Sequence, residues 1–146
     1  MRHERTGKLQ VLLVEDDDID ATAFERALQR AQFDVDLVWC SSAEQALRVL
    51  TGKEEPTLAK PFLVLLDLNM PGMGGHGFLE ALRAEEELRS TVVFVLSTSS
   101  AERDIEAAYR YQVAGYFVKD IDSGRNRQVV EALRAYSEAC WLPGDG

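Results

Sequence analysis

Four consecutive acids, Glu15, Asp16, Asp17 and Asp18, follow directly on the apolar run LQVLLV at 9–14. Two ionised carboxylates about 4 Å apart repel by roughly 4 kcal/mol at an effective dielectric near 20, so such a cluster calls for a compensating charge. Further along the chain, Asp67 closes the apolar stretch FLVLL, Ser97 and Thr98 close VVFVL, and Lys119 closes GYFV. Glu15, Asp16 and Asp67 offer a hard, all-oxygen ligand set suited to Mg²⁺, an ion that keeps several waters and takes a few carboxylates together with phosphate oxygens. Asp67 is also a candidate nucleophile, because a carboxylate can attack phosphorus to give an aspartyl phosphate. A metal and Lys119 would neutralise the charge spread over a phosphoryl group, and Ser97 could donate to one of its oxygens.

For these residues to act together, the elements that carry them must bring their ends to one place. Apolar runs at 9–14, 33–39, 62–66, 92–96 and 115–118 read as five strands. Three of them are apolar almost throughout, as strands covered on both faces are, whereas the second alternates and is expected at a sheet edge. Between them lie helical patterns. Ile19, Ala23 and Ala27, with Phe24 and Leu28, form an apolar stripe, and 78–88 reads as a third helix. Ser41-Ser42-Ala43-Glu44 is a capping box opening a helix to Leu50, with Gly52 as its stop. Ser99-Ser100-Ala101-Glu102 is a second capping box, for a helix to Tyr111, and Val129, Val130, Leu133 and Tyr136 stripe a last helix to Cys140.

Five strand–helix units imply an α/β fold, a doubly wound five-stranded parallel sheet with helices on both faces. Ligands of such sheets sit beyond the carboxyl ends of the strands, where strand order reverses, which is where the acids, the serine and the lysine fall. The domain is expected to span 9–141, with tails at 1–8 and 142–146 and a surface loop at 51–61.

A net charge of −9 with no Lys/Arg cluster argues against a nucleic-acid binder. Cys40 and Cys140 lack any metal-ligand spacing and read as reduced structural thiols. Neither a signal-peptide core nor a membrane-length apolar run is present, so a cytoplasmic protein with no membrane partner is expected. Asp16, Asp18 and Asp20 mimic the start of a calcium loop, but Ala21 and Ala27 stand where such a loop needs Gly and Glu. His3 and His76 read as surface residues, and Trp39 and Trp141 as packing anchors.

VLLVEDD, LLDLNMPGMGG, VFVLSTSS and YFVK, in this order and spacing, resemble the receiver domain of two-component response regulators over the whole of 9–141. The resemblance implies a flavodoxin-like (βα)5 fold with strand order 2-1-3-4-5. It implies Asp67 as phosphoacceptor, Mg²⁺ as cofactor bound directly by Asp16 and through water by Glu15, and the Asn69 backbone carbonyl as a further ligand. Ser97 would be the switch hydroxyl, Tyr116 the switch aromatic and Lys119 the phosphate-pairing cation. A sensor histidine kinase would be the donor, and output would run through protein contacts or phosphorelay. The protein would then be no enzyme beyond its own phosphorylation and dephosphorylation.

A finer resemblance, in LSTSSAERDIEAAY, the missing proline after Lys119 and Trp141, is to stand-alone regulators that partner bacterial phytochrome kinases. Tyr109, Tyr111 and Trp141 mark the fourth helix, fifth strand and last helix as a candidate homodimer face. Two departures stand out. Asp120 follows Lys119 where the family commonly has a cis proline, and a non-proline cis bond costs roughly 3–4 kcal/mol, so Lys119 could be aimed differently or paired with Asp120. Gly74 and Gly77 replace common acids, implying a more mobile loop. A haloacid-dehalogenase-like phosphatase is disfavoured, since Asn69 stands where that family has a general acid. A pseudo-receiver would have lost Asp67 or Lys119, and both are present.

Overall fold

The apolar runs become one sheet in the computed structural model, which describes residues 7–119 and 124–145. Its strands are β1 (Gln10–Val14), β2 (Asp36–Cys40), β3 (Phe62–Asp67), β4 (Val92–Ser97) and β5 (Gly115–Val118). They alternate with helices α1 (Asp18–Arg30), α2 (Ala43–Leu50), α3 (Gly74–Ala84), α4 (Glu102–Tyr109) and α5 (Gly124–Ala139). Strand order is β2-β1-β3-β4-β5 and every pairing is parallel, so all carboxyl ends share one edge. Among the described residues no helix is long and apolar enough to cross a membrane.

Successive strand residues point to opposite faces. Leu12, Val14, Val64, Leu66, Val93 and Val95 pack with residues of α2, α3 and α4 on one side. Val11, Leu13, Leu63, Leu65, Phe94 and Leu96 pack with α1 and α5 on the other. β3 is buried along its whole length, which accounts for its unbroken apolar run. Leu142, assigned from sequence to a tail, is buried in the same cluster as Leu9 and Leu133. Cys40 is buried, and burial raises its thiol pKa to about 11, in keeping with a structural role.

Several boundaries differ from the sequence reading. β2 starts at Asp36 rather than at 33, because the preceding residues finish α1. Gln32 adopts a left-handed φ of 54° and the Phe33 N–H donates to the Leu28 carbonyl, a helix-ending arrangement more often built on glycine. Ile19 is 75% exposed, since α1 buries Ala21, Phe24 and Leu28 instead. The capping box of α2 lies one residue later than expected. Ser42 accepts from the Gln45 N–H, while the Gln45 side chain accepts from the Ser41 N–H. α4 has no side-chain cap; its N-cap is Ala101, and Ser99 donates instead to Asp104.

α3 runs over Gly74–Ala84 instead of 78–88, which puts Gly74 and Gly77 in a helix rather than in a loop. At its far end, Glu85 turns to extended backbone and Leu88 is buried in the following turn. Arg83 ties this turn to the next one. Its guanidinium donates to the carbonyls of Tyr111 at 2.7 Å, Arg89 at 2.7 Å, Thr91 at 2.8 Å and Gln112 at 3.2 Å.

Gly75 explains the early start of α3. A Cβ there would stand 2.5 Å from Leu68 Cδ2 and 2.6 Å from Leu68 Cα, so the first turn of α3 presses on the end of β3. Alanine normally favours a helix interior by about 0.5–1 kcal/mol over glycine. Here overpacking against backbone outweighs that gain, and Gly75→Ala is expected to lower stability by about 1–3 kcal/mol in chemical denaturation.

Candidate functional site: the acidic rim of the sheet

The four acids after β1 divide their tasks. Glu15 turns inward and is 2% exposed, while Asp16 faces the open rim. Asp17 caps α1, its carboxylate accepting from the N–H groups of Ile19 at 2.8 Å and Asp20 at 3.2 Å. Asp18 sits in the first helical turn, where negative charge is favourable. The Glu15 backbone is also fixed. Its N–H donates to the Cys40 carbonyl at 3.0 Å, and its carbonyl accepts from Trp39 Nε1 at 2.7 Å.

Asp67, at the end of β3, is 3% exposed, and its Oδ1 accepts from the Asn69 N–H at 3.0 Å. Lys119 follows β5 and reaches back over this edge. Its Nζ lies 2.8 Å from Glu15 Oε1, 3.2 Å from Asp67 Oδ2 and 3.3 Å from Asp20 Oδ2. Carboxylate oxygens of Glu15, Asp16 and Asp67 lie within 4.8 Å of one another. An all-oxygen set with one exposed member fits Mg²⁺, which needs both protein carboxylates and room for water or phosphate oxygens.

Burial raises the Glu15 carboxyl to about 8, helped by its hydrogen bond with Asp67 and opposed by Lys119. Burial pulls the Lys119 ammonium down, but the hydrogen bond to Glu15 and the charges of Asp67, Glu15 and Asp20 outweigh it, and its pKa lies above the ordinary lysine value. The ammonium is therefore held charged among the acids.

Beside this cluster runs a chain of hydrogen bonds. Asn69 Oδ1 accepts from Ser97 Oγ at 3.1 Å, from the Thr98 N–H at 2.9 Å and from Thr98 Oγ1 at 3.2 Å. Ser97, 1% exposed, accepts in turn from the Ser99 N–H at 3.1 Å. The Tyr116 hydroxyl donates to the Ser99 carbonyl at 2.9 Å.

The structure thus gathers Glu15, Asp16, Asp67 and Lys119 at one rim, and links Asn69, Ser97 and Tyr116 beside it. Asp120 and its peptide bond to Lys119 lie outside the described residues. Two residues escaped the sequence reading. Asp20, in the first turn of α1, is a third acid on Lys119. Trp39, read as a packing anchor, is 43% exposed and serves instead as a donor to the acidic turn. An indole at the carboxyl end of an edge strand was the available signal.

Sheet order and acidic pocket together define a flavodoxin-like doubly wound domain. The response regulator receiver domain model matches residues 11–131, and the chain belongs to that family of two-component signalling proteins. It is 33% identical over 132 residues to the probable methanogenesis regulatory protein FilR2 of Methanothrix harundinacea, covering 90% of this chain and 83% of the relative. It is 30% identical to the response regulator Rcp1 of Synechocystis, covering 97% of this chain and 95% of that protein. The Mn²⁺-bound form of Rcp1 superposes with a TM-score of 0.81 at 29% identity, over 94% of this chain and 99% of that one. The phosphorylated cyanobacterial phytochrome response regulator RcpA gives a TM-score of 0.84 at 28% identity, again over 94% and 99% of the two chains.

The raised Glu15 pKa has a sign that can be measured. Between the ordinary carboxylate range and about pH 8 the folded chain holds a proton that the unfolded chain has released. Stability without metal is therefore expected to fall as pH rises through that window. Denaturation in EDTA across the window should show this slope for wild type and a flatter one for Glu15→Gln.

Proposed function

We propose that Asp67 accepts a phosphoryl group from the phosphohistidine of a sensor histidine kinase, in a Mg²⁺-dependent reaction, and that the chain signals by protein contacts or phosphorelay. The observation that carries this reading is the convergence of Asp67, two further acids and Lys119 at the carboxyl edge. In the transfer, an Asp67 oxygen forms a bond to phosphorus as the P–N bond to histidine breaks, the electron pair leaving with the imidazole nitrogen. Glu15, Asp16, Asp67 and the Asn69 carbonyl would hold the ion, which when bound supplies positive charge opposite the phosphoryl oxygens. Lys119 Nζ, already 3.2 Å from Asp67 Oδ2, is within reach of the incoming group.

Ser97 has one hydroxyl proton, and Asn69 now takes it. A phosphoryl oxygen on Asp67 would compete for that proton. Because Ser97 accepts from Ser99, and Ser99 from Tyr116, a change at Ser97 is passed to the β4–α4 turn and to β5. The likeness to the phytochrome response regulator RcpA supports a kinase of the bacterial phytochrome type. Asn69, with its side-chain oxygen taken by three donors, offers no acid for a phosphatase cycle.

Incubation with acetyl phosphate or phosphoramidate plus Mg²⁺ should add the mass of one PO₃ group to wild type and none to Asp67→Asn. No gain in wild type, with beryllofluoride also failing to bind, overturns the reading. Exposed Tyr109 and Trp141 support a homodimer through α4, β5 and α5 as the activated form. Sedimentation is expected to show a larger species with beryllofluoride than without it; identical monomer profiles would remove the dimer.

A further inference from the structure

From the end of β2 we infer that Trp39 is a positioning residue for the metal-binding acids, its indole N–H fixing the peptide unit between Glu15 and Asp16. The inference rests on the reading of Glu15, Asp16 and Asp67 as a divalent-cation site. The β1–β2 ladder ends at Val14 and Cys40, so the Glu15 carbonyl lies past the last strand pair. Trp39 Nε1 supplies the partner there at 2.7 Å, from a ring that is 43% exposed. An indole N–H only donates, and an amphipathic ring at a wet edge is well suited to hold one acceptor while its face stays partly in water.

That carbonyl belongs to the peptide joining the two acids. With the Glu15 N–H on Cys40 and the Glu15 carbonyl on Trp39, the backbone is held on both sides of Glu15. The two side chains then leave in different directions, Glu15 inward to Lys119 and Asp16 outward to the rim. Rotation of the shared peptide would swing both at once. Mg²⁺ demands near-ideal octahedral geometry, so loss of this one bond should be felt in ion affinity more than in the fold.

The chain has two tryptophans, Trp39 and Trp141, which makes the test direct. In Trp141→Phe, a variant at an exposed position away from the rim, Trp39 emission is followed through a Mg²⁺ titration. Calorimetry on wild type and Trp39→Phe gives the affinity independently. The emission is expected to change with the calorimetric midpoint, and Trp39→Phe to bind Mg²⁺ about five-fold more weakly, the effect of one neutral hydrogen bond. Phosphorylation of Trp39→Phe by acetyl phosphate should slow at low Mg²⁺ and recover at saturating Mg²⁺. Wild-type affinity in Trp39→Phe, whatever its melting temperature, or an emission blind to the ion, overturns the inference. Absence of Mg²⁺ binding by wild type itself would remove the metal site, and the inference with it.

Discussion

An ammonium directly after β5 reaches across the ends of β4 and β3 to an acid directly after β1, and the carboxyl edge of the sheet is organised around that reach. Glu15 and Asp67 are almost without solvent, and a buried carboxylate without a partner is costly. Lys119 offsets this by lying within ion-pair distance of Glu15, Asp67 and Asp20. Even with Glu15 holding its proton, the acids of this rim, Asp16, Asp20 and Asp67, outnumber Lys119, and that excess of negative charge favours a further cation. A parallel sheet in the order β2-β1-β3-β4-β5 makes this possible, because it sets the end of β1 beside the end of β3.

Much of this was legible in the chain. Strands buried on both faces must be apolar throughout, so β1, β3 and β4 announce themselves, and a charged or hydroxyl residue directly after each stands out. Helix starts were harder for a local reason. Two serines stand side by side at 41–42 and again at 99–100, and spacing alone does not say whose hydroxyl meets an N–H. Ser42 caps α2, whereas Ser99 takes the Ala101 N–H one residue ahead of α4 and donates to Asp104. Gly74 and Gly77 read as residues of a mobile loop, yet between them, at Gly75, it is the lack of a Cβ that lets α3 close on Leu68.

At the site, residue types were readable and directions were not. Nothing in EDDD tells which acid is buried; in the fold Glu15 is buried against Lys119, Asp16 is exposed and Asp17 caps α1. Trp39 was missed because its partner is a backbone carbonyl, a group every residue has and no pattern marks. Asn69 was read through its carbonyl, while its side chain turns out to collect three donors from β4 and the turn that follows. One asparagine therefore joins the acid rim to the Ser97–Ser99–Tyr116 chain, its backbone N–H bonded to Asp67 and its side-chain oxygen to Ser97.

The four carbonyls gathered by Arg83 make the two ends of α4 unequal. Its C-terminal end is riveted to α3 through Tyr111 and Gln112. Its other end hangs on side-chain bonds around Ser99, and Ala108 is the one fully buried residue of the helix. A rod clamped at one end and weakly tethered at the other behaves as a lever. On that lever a small displacement near Ser99 would be enlarged along α4, with Arg83 as its fulcrum.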